Sequence, residues 1–161
     1  MSSADKSADK SADMNRRLES TIRLGTIAAV NHGAALCQVK SGGLLTEWLP
    51  WLERRAGTTR DWDPPTVGEQ CLLLSPSGEP GAGIVISGIP SNAHPAPSGD
   101  EKKQVRDWPD GARYHYDHAS HEWQLEVPDG GCIRLKIGAT TLELRGDGTT
   151  LTTPKFTGVQ S

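Results

Sequence analysis

From Trp123 onward the chain alternates apolar and polar residues in short runs. The apolar positions are Trp123, Leu125 and Val127, then Ile133, Leu135 and Ile137, then Leu142 and Leu144, with Leu151 and Phe156 behind them. Turn sequences separate the runs: Pro128-Asp129-Gly130-Gly131, Gly138-Ala139 and Gly146-Asp147-Gly148. A period of two predicts strands with one buried face, because successive side chains of a strand point to opposite sides. So short a stretch closes no core alone; below ~70–80 residues a core needs staples or partners. No disulfide pattern supplies the staple. The expectation is that identical copies wrap together. Ile133, Leu135, Ile137, Leu142 and Leu144 would then stack on or near a shared axis, while Arg134, Lys136, Glu143 and Arg145 face out. Such a fibrous β-structure suits mechanical work.

Upstream the pattern changes twice. Residues 3–14 repeat a four-residue unit, Ser-Ala-Asp-Lys, and end on Met14. Small and charged residues bury nothing, so residues 1–20 read as a flexible tail with a transient helix running into Asn15–Ser20. From Thr21 the pattern is β. Strands are expected over 22–30, 34–40, 44–48, 70–75 and 83–89, the fourth a continuous apolar run of the fully buried kind. A polar loop carrying Arg and Pro spans roughly 53–65. Five strands with no strong helix between them predict a small closed or partly closed barrel over 21–90, with the OB-fold as the leading choice. Residues 91–108 hold Pro95 and Pro97 and then a charged stretch, and read as a stiff, solvated linker. The strand-rich needle occupies 109–161.

Composition narrows the function classes. The chain has 161 residues, is 35% hydrophobic and carries a net charge of −3 without a block of either sign. No basic stripe is present, so nucleic acid is not an expected partner. Cys37, Cys71 and Cys132 are an odd number in apolar strand contexts, which predicts reduced, buried thiols in a protein made in the cytosol. The N-terminal segment lacks an apolar signal core, and no apolar run is long enough to span a bilayer.

The middle of the chain carries an ordered set of motifs. It reads Glu47-Trp48-Leu49-Pro50-Trp51-Leu52-Glu53-Arg54-Arg55-Ala56-Gly57 and then Arg60-Asp61-Trp62. Pro65-Thr66-Val67-Gly68-Glu69-Gln70, Leu74-Ser75-Pro76-Ser77-Gly78 and His94-Pro95-Ala96-Pro97-Ser98 follow. This set resembles the phage baseplate assembly protein V family, the central spike of contractile phage tails and tail-like bacteriocins, from about Ile22 to Val127. The resemblance implies an all-β protein, an N-terminal OB-fold barrel followed by a trimeric, intertwined β-helix or β-prism needle. It implies a structural spike that pierces the target cell's outer membrane when the sheath contracts. The implied partners are two further copies, the baseplate hub and tail-tube proteins and the target outer membrane; the tip is either blunt or capped by a separate tip protein. It implies a chain made in the bacterial cytoplasm and built into the tail baseplate.

Pro50 cannot donate to a ladder and belongs at a strand edge. The flanking Trp48 and Trp51 are either lids on the barrel core or anchors in an interface. The interface is the favoured reading, with Arg54 and Arg55 as polar contacts at its rim, against the alternative of a solvated loop. His115, His118 and His121 are spaced two apart and are the sharpest metal candidates. On a strand and turn, however, they would not converge within one chain. Members of the resembling family bind iron at the tip through a His-x-His pair. Residues 122–161 hold no histidine, so no tip iron and no cofactor is expected. No nucleophile elbow, P-loop or dinucleotide fingerprint is present, so an enzyme is not expected. Glu122 and Glu126 alternate on a strand and read as solubilising. The rival reading is a carbohydrate- or ligand-binding OB module with a β-rich tail; 21–97 carry six acids against five bases, which disfavours a single nucleic-acid strand.

Overall fold

The computed structural model describes residues 3–158. They divide between Ala96 and Pro97 into two compact units. The first holds helix α1 (Ser3–Thr21) and strands β1 (Ile22–Asn31), β2 (Leu36–Ser41), β3 (Leu44–Leu45), β4 (Leu49–Pro50), β5 (Gln70–Leu74) and β6 (Ile84–Ile89). The second holds β7 (Lys103–Asp107), β8 (Arg113–Asp117), β9 (Glu122–Glu126), β10 (Ile133–Ile137), β11 (Thr140–Arg145) and β12 (Gly148–Thr152). All strand pairings within the sheets are antiparallel.

The first unit is one curved sheet in the order β3-β2-β1-β5-β6, with β4 pairing on β2. Its ends meet through a single parallel bridge between Trp51 and Val85, reinforced by the Leu52 amide donating to the Val85 carbonyl at 2.8 Å. The ring expected from the sequence is thus joined at one point, without a continuous closing ladder. The reason lies in the 44–50 segment. The strand expected over 44–48 is instead two stubs, Leu44–Leu45 and Leu49–Pro50, and Pro50 offers no amide to extend the second. Ile27, Cys37, Val39, Leu49, Trp51, Cys71, Leu73 and Val85 form the core. Polar side chains tie the strands around it. Thr46 Oγ1 accepts from the Val39 amide at 2.9 Å, and Ser41 Oγ donates to the Leu24 carbonyl at 2.7 Å. The Glu69 carboxylate accepts from the amides of Gly88 (2.8 Å) and Thr66 (2.9 Å), pinning the entry to β5.

The segment expected as a flexible tail is a helix from Ser3 to Thr21. Alanine and lysine favour helix, and Asp13 pairs with Arg16 at 2.7 Å and Arg17 at 2.8 Å, one turn ahead. The last turn also has a seat. The Ser75 amide donates to the Thr21 carbonyl at 2.8 Å, and Gly78 lies against the Arg17 backbone. Any Cβ at Gly78 would sit 2.4 Å from the Arg17 carbonyl oxygen, and its φ of +72° is itself a glycine conformation. The Ser-Pro-Ser-Gly turn is a dock for the helix, a role that periodicity does not reveal.

In the second unit, β7-β8-β9 and β10-β11-β12 form two three-stranded sheets. Part of the stretch expected as solvated linker is strand β7. Its only apolar residue is Val105, so no alternation announces it. Cross-strand charges hold it to β8 instead: Asp107 meets Arg113 at 3.0 Å and Lys103 lies 3.9 Å from Asp117. The aromatic group Trp108–Tyr114, centroids 5.8 Å apart, caps this sheet, with the Arg106 guanidinium 5.4 Å from the Trp108 ring.

Candidate functional site

The β10–β12 sheet is set by two two-residue turns. Gly138 with φ +55° opens the first, and the second joins Arg145 to its partner Gly148. The resulting register pairs Ile133 with Leu144, Leu135 with Leu142 and Leu142 with Leu151. Directly opposed residues share a face. All five residues assigned to the shared core therefore lie together on one side of the sheet, joined by Leu151. That side is open in the single chain: Leu135 is 62% exposed and Ile137 85%.

The opposite side carries the charges, as alternation requires. Arg134 Nε meets Glu143 Oε2 at 3.0 Å, and Arg145 Nε meets the other oxygen at 2.6 Å. Hydrogen bonds from Arg134 and then Arg145 hold the Glu143 carboxyl below its ordinary value. One face of the sheet is thus charged and the other apolar. In the companion sheet, Tyr114 opposes Leu125 and Tyr116 opposes Trp123, giving a second mainly apolar face on which Trp123 is 66% exposed. A cleft of about 450 Å³ opens near the turn between the sheets, lined by Leu125, Val127, Cys132, Ile133 and Leu144 among others. Among the described residues, no side chain from 97 to 158 is buried.

The tryptophans separate into two roles. Trp51, favoured from sequence as an interface anchor, is 8% exposed and belongs to the barrel core. Burial follows from the bridge to Val85, which turns the ring inward. Its Nε1 donates to Glu53 Oε1 at 2.8 Å, and the same oxygen accepts from the Asp63 amide at 3.0 Å. Trp62 then packs against Trp51 with ring centroids 5.6 Å apart and planes tilted by 54°, and stays exposed. Glu53 and Trp62 thus organise the long loop, and sequence reasoning assigned neither of them that part. Trp48, Arg54 and Arg55 are exposed. With Trp51 withdrawn into the core, a ligand groove on the barrel loses one of the rings it would use for stacking.

The three histidines do not come together as a site. His115 is in β8, opposite Gln124 and Val105. His118 and His121 belong to the turn that follows, where Asp117 Oδ1 accepts from the Ala119 amide at 2.8 Å. Among the described residues no three of His, Cys, Asp and Glu group as metal ligands. Cys37 and Cys71 are free and buried, and burial pushes each thiol up to about 11; Cys132 is free and half-buried. Among the described residues no helix is long and apolar enough to cross a membrane.

Fold and surface together define an all-β chain with one small domain built on a single sheet bridged at its ends and, further along the chain, two sheets whose apolar faces are uncovered. Residues 23–89 match the family described as the Type VI secretion system/phage-baseplate injector OB domain. That match supports the resemblance to baseplate assembly protein V read from the sequence. The chain is also 40% identical over 105 residues to the spike protein of Escherichia phage P2, a match covering 65% of this chain and 50% of that protein. The chain spans about half the length of the curated relative it matches.

Proposed function

We propose that this chain is the central spike of a contractile tail baseplate, working as a homotrimer. One observation carries the reading. The second unit has an apolar sheet face and, among its described residues, no buried side chain. Sheets of this size are not stable with their apolar faces in water. Three copies wrapped about an axis would bury Ile133, Leu135, Ile137, Leu142 and Leu144 against their equivalents, leaving the Arg134–Glu143–Arg145 ladder outside. The family match of the first unit and the likeness to the P2 spike protein support placing such a trimer at a baseplate.

In this reading three barrels form a collar and the paired sheets an intertwined β-helical needle. Sheath contraction drives the tail tube forward, and the needle concentrates the force on a small area of the target's outer membrane. The shared core gives stiffness, because close-packed interiors resist compression. The work is mechanical and involves no bond-making step. Trp48, Arg54 and Arg55, exposed on either side of β4, are assigned to contacts with the hub and tail-tube proteins. Glu53 and the tilted Trp51–Trp62 pair organise the loop that follows β4. No cofactor or tip iron is part of the proposal; stoichiometric iron in the purified protein would contradict the metal-free assignment.

The test is the solution mass by light scattering during size exclusion. Three times the chain mass of 17.3 kDa is expected. A stable species of one chain mass would overturn the shared-core needle and the spike with it.

A further inference from the structure

The connection from β4 to β5, residues 51–69, is the longest in the first unit. Long connections in a compact domain either wander or carry function. This one is ordered by its own backbone. The Asp61 amide donates to the Arg55 carbonyl at 2.9 Å and the Gly57 amide to the Thr59 carbonyl at 3.1 Å, on either side of an antiparallel bridge between Ala56 and Arg60. Residues 55–61 are therefore a small hairpin. Its base is fixed by Glu53, whose Oε1 accepts from both the Trp51 indole and the Asp63 amide, and by Trp62 against the buried Trp51. From 54 to 60 the charged residues are Arg54, Arg55 and Arg60, and all three are exposed. Among the described residues none of the three guanidiniums has an ion-pair or hydrogen-bond partner, although Asp61 stands at the foot of the hairpin opposite Arg55.

We propose that this hairpin is a preformed finger for a carboxylate-bearing patch on the baseplate hub protein. The inference rests on the spike reading above and gives its hub contact a chemistry. Three observations choose the partner. The basic residues of the finger are all arginine, whose planar fork meets a carboxylate through two parallel bonds, where lysine offers only a point charge. Exposed Leu52 and Trp62 flank the finger, and arginine beside tryptophan is the make-up of a protein interface. A phosphate polymer takes an extended basic track, and this chain has a net charge of −3 with no such track. A merely solvated loop needs none of the order at the base. Holding the guanidiniums on a hairpin closed by its own backbone lowers the ordering cost of a contact, which is where arginines that contribute little to the fold gain their value.

The test measures association of the full chain with the purified hub protein of the same particle by biolayer interferometry, at about 50 mM and about 500 mM salt. Arg54→Glu/Arg55→Glu/Arg60→Glu is expected to weaken binding roughly tenfold or more at low salt, and the wild-type affinity to fall as salt rises. The charge-matched control Lys10→Glu/Lys40→Glu/Lys102→Glu changes three exposed lysines outside the finger and should bind as the wild type does. Light scattering gives the mass of each sample. At a three-chain mass, no hub binding by the wild type, or unchanged binding by the arginine variant, overturns this inference and leaves the trimer standing. Equal loss in both triple variants also overturns it, since net charge and not the finger is then what the hub reads. Loss of the three-chain mass in the arginine variant alone makes the finger a contact between copies and overturns it. Wild-type binding to lipopolysaccharide vesicles that the arginine variant loses, with hub binding kept, assigns the finger to phosphate and overturns it. A one-chain mass for the wild type overturns the spike reading itself.

Discussion

Replacing Leu135 tests the shared core most directly. Its side chain opposes Leu142 in the middle of the open face and is 62% exposed in the single chain. Fully burying a leucine is worth about 1.5–3 kcal/mol, so covering the exposed part contributes roughly 1–2 kcal/mol per chain and about 3–6 kcal/mol per trimer. Leu135→Ala should remove about that much and lower the melting temperature and the dilution stability of the trimer. Leu135→Asp does more, because it also buries three carboxylates near one axis at a cost of several kcal/mol each. That exceeds what the site contributes, and the trimer should not form. The neighbouring change Lys136→Asp is the control, since Lys136 lies on the opposite, solvated side. Circular dichroism reports whether the strands persist, and light scattering reports the mass. A Leu135→Asp protein with unchanged trimer mass and melting would refute the assignment of this face to the axis. Equal loss from Leu135→Asp and Lys136→Asp would refute the argument from register.

Three further predictions follow from the packing and charge. Gly78→Ala forces a Cβ onto the Arg17 backbone, so α1 should leave its seat while the barrel stays folded; faster tryptic cleavage at Arg16 and Arg17 checks this, and unchanged cleavage counts against the dock. Cys37 and Cys71, buried with thiols pushed up to about 11, should resist alkylation in the native protein at neutral pH, and both should label on denaturation. Rapid native labelling of either would contradict the core described here. Glu143, held low by Arg134 and Arg145, contributes stability that is present above the ordinary glutamate value and is lost as pH falls through the depressed one. Melting temperature should therefore drop between about pH 5 and pH 3, and Glu143→Gln should flatten part of that drop; an unaltered slope would remove the ladder from the account.

The strands with apolar alternation were legible because the pattern is the physical cause of their burial. Ile133, Leu135 and Ile137 were placed on one face from spacing alone, and the register agrees. Elements held by other forces were not. Strand β7 depends on ion pairs with a strand several residues away, which leave no periodic trace. Helix α1 depends on a glycine some sixty residues later, Gly78, whose meaning appears only when Arg17 lies against it. Trp51 was ambiguous for a different reason. Its ring is amphipathic and suits either a core or an interface. The choice was made by a single backbone bridge to Val85, which the sequence does not announce.

The same logic explains why the second unit looked incomplete from its sequence. Alternation states that one face must leave water, but not what covers it. In the barrel the answer lies within the chain: Leu73 and Val85 meet Ile27 and Val39, and all four are buried. In the β10–β12 sheet the demand is equally clear, and the chain does not supply the answer. Leu135 and Ile137 are as regular in spacing as any core residue, yet they remain mostly in water. A sequence patterned for burial and a chain that does not bury it differ by the missing partner. The pattern repeats on the outer face of β1, β5 and β6, where Leu72 and Leu74 are written into an apolar run and only half covered.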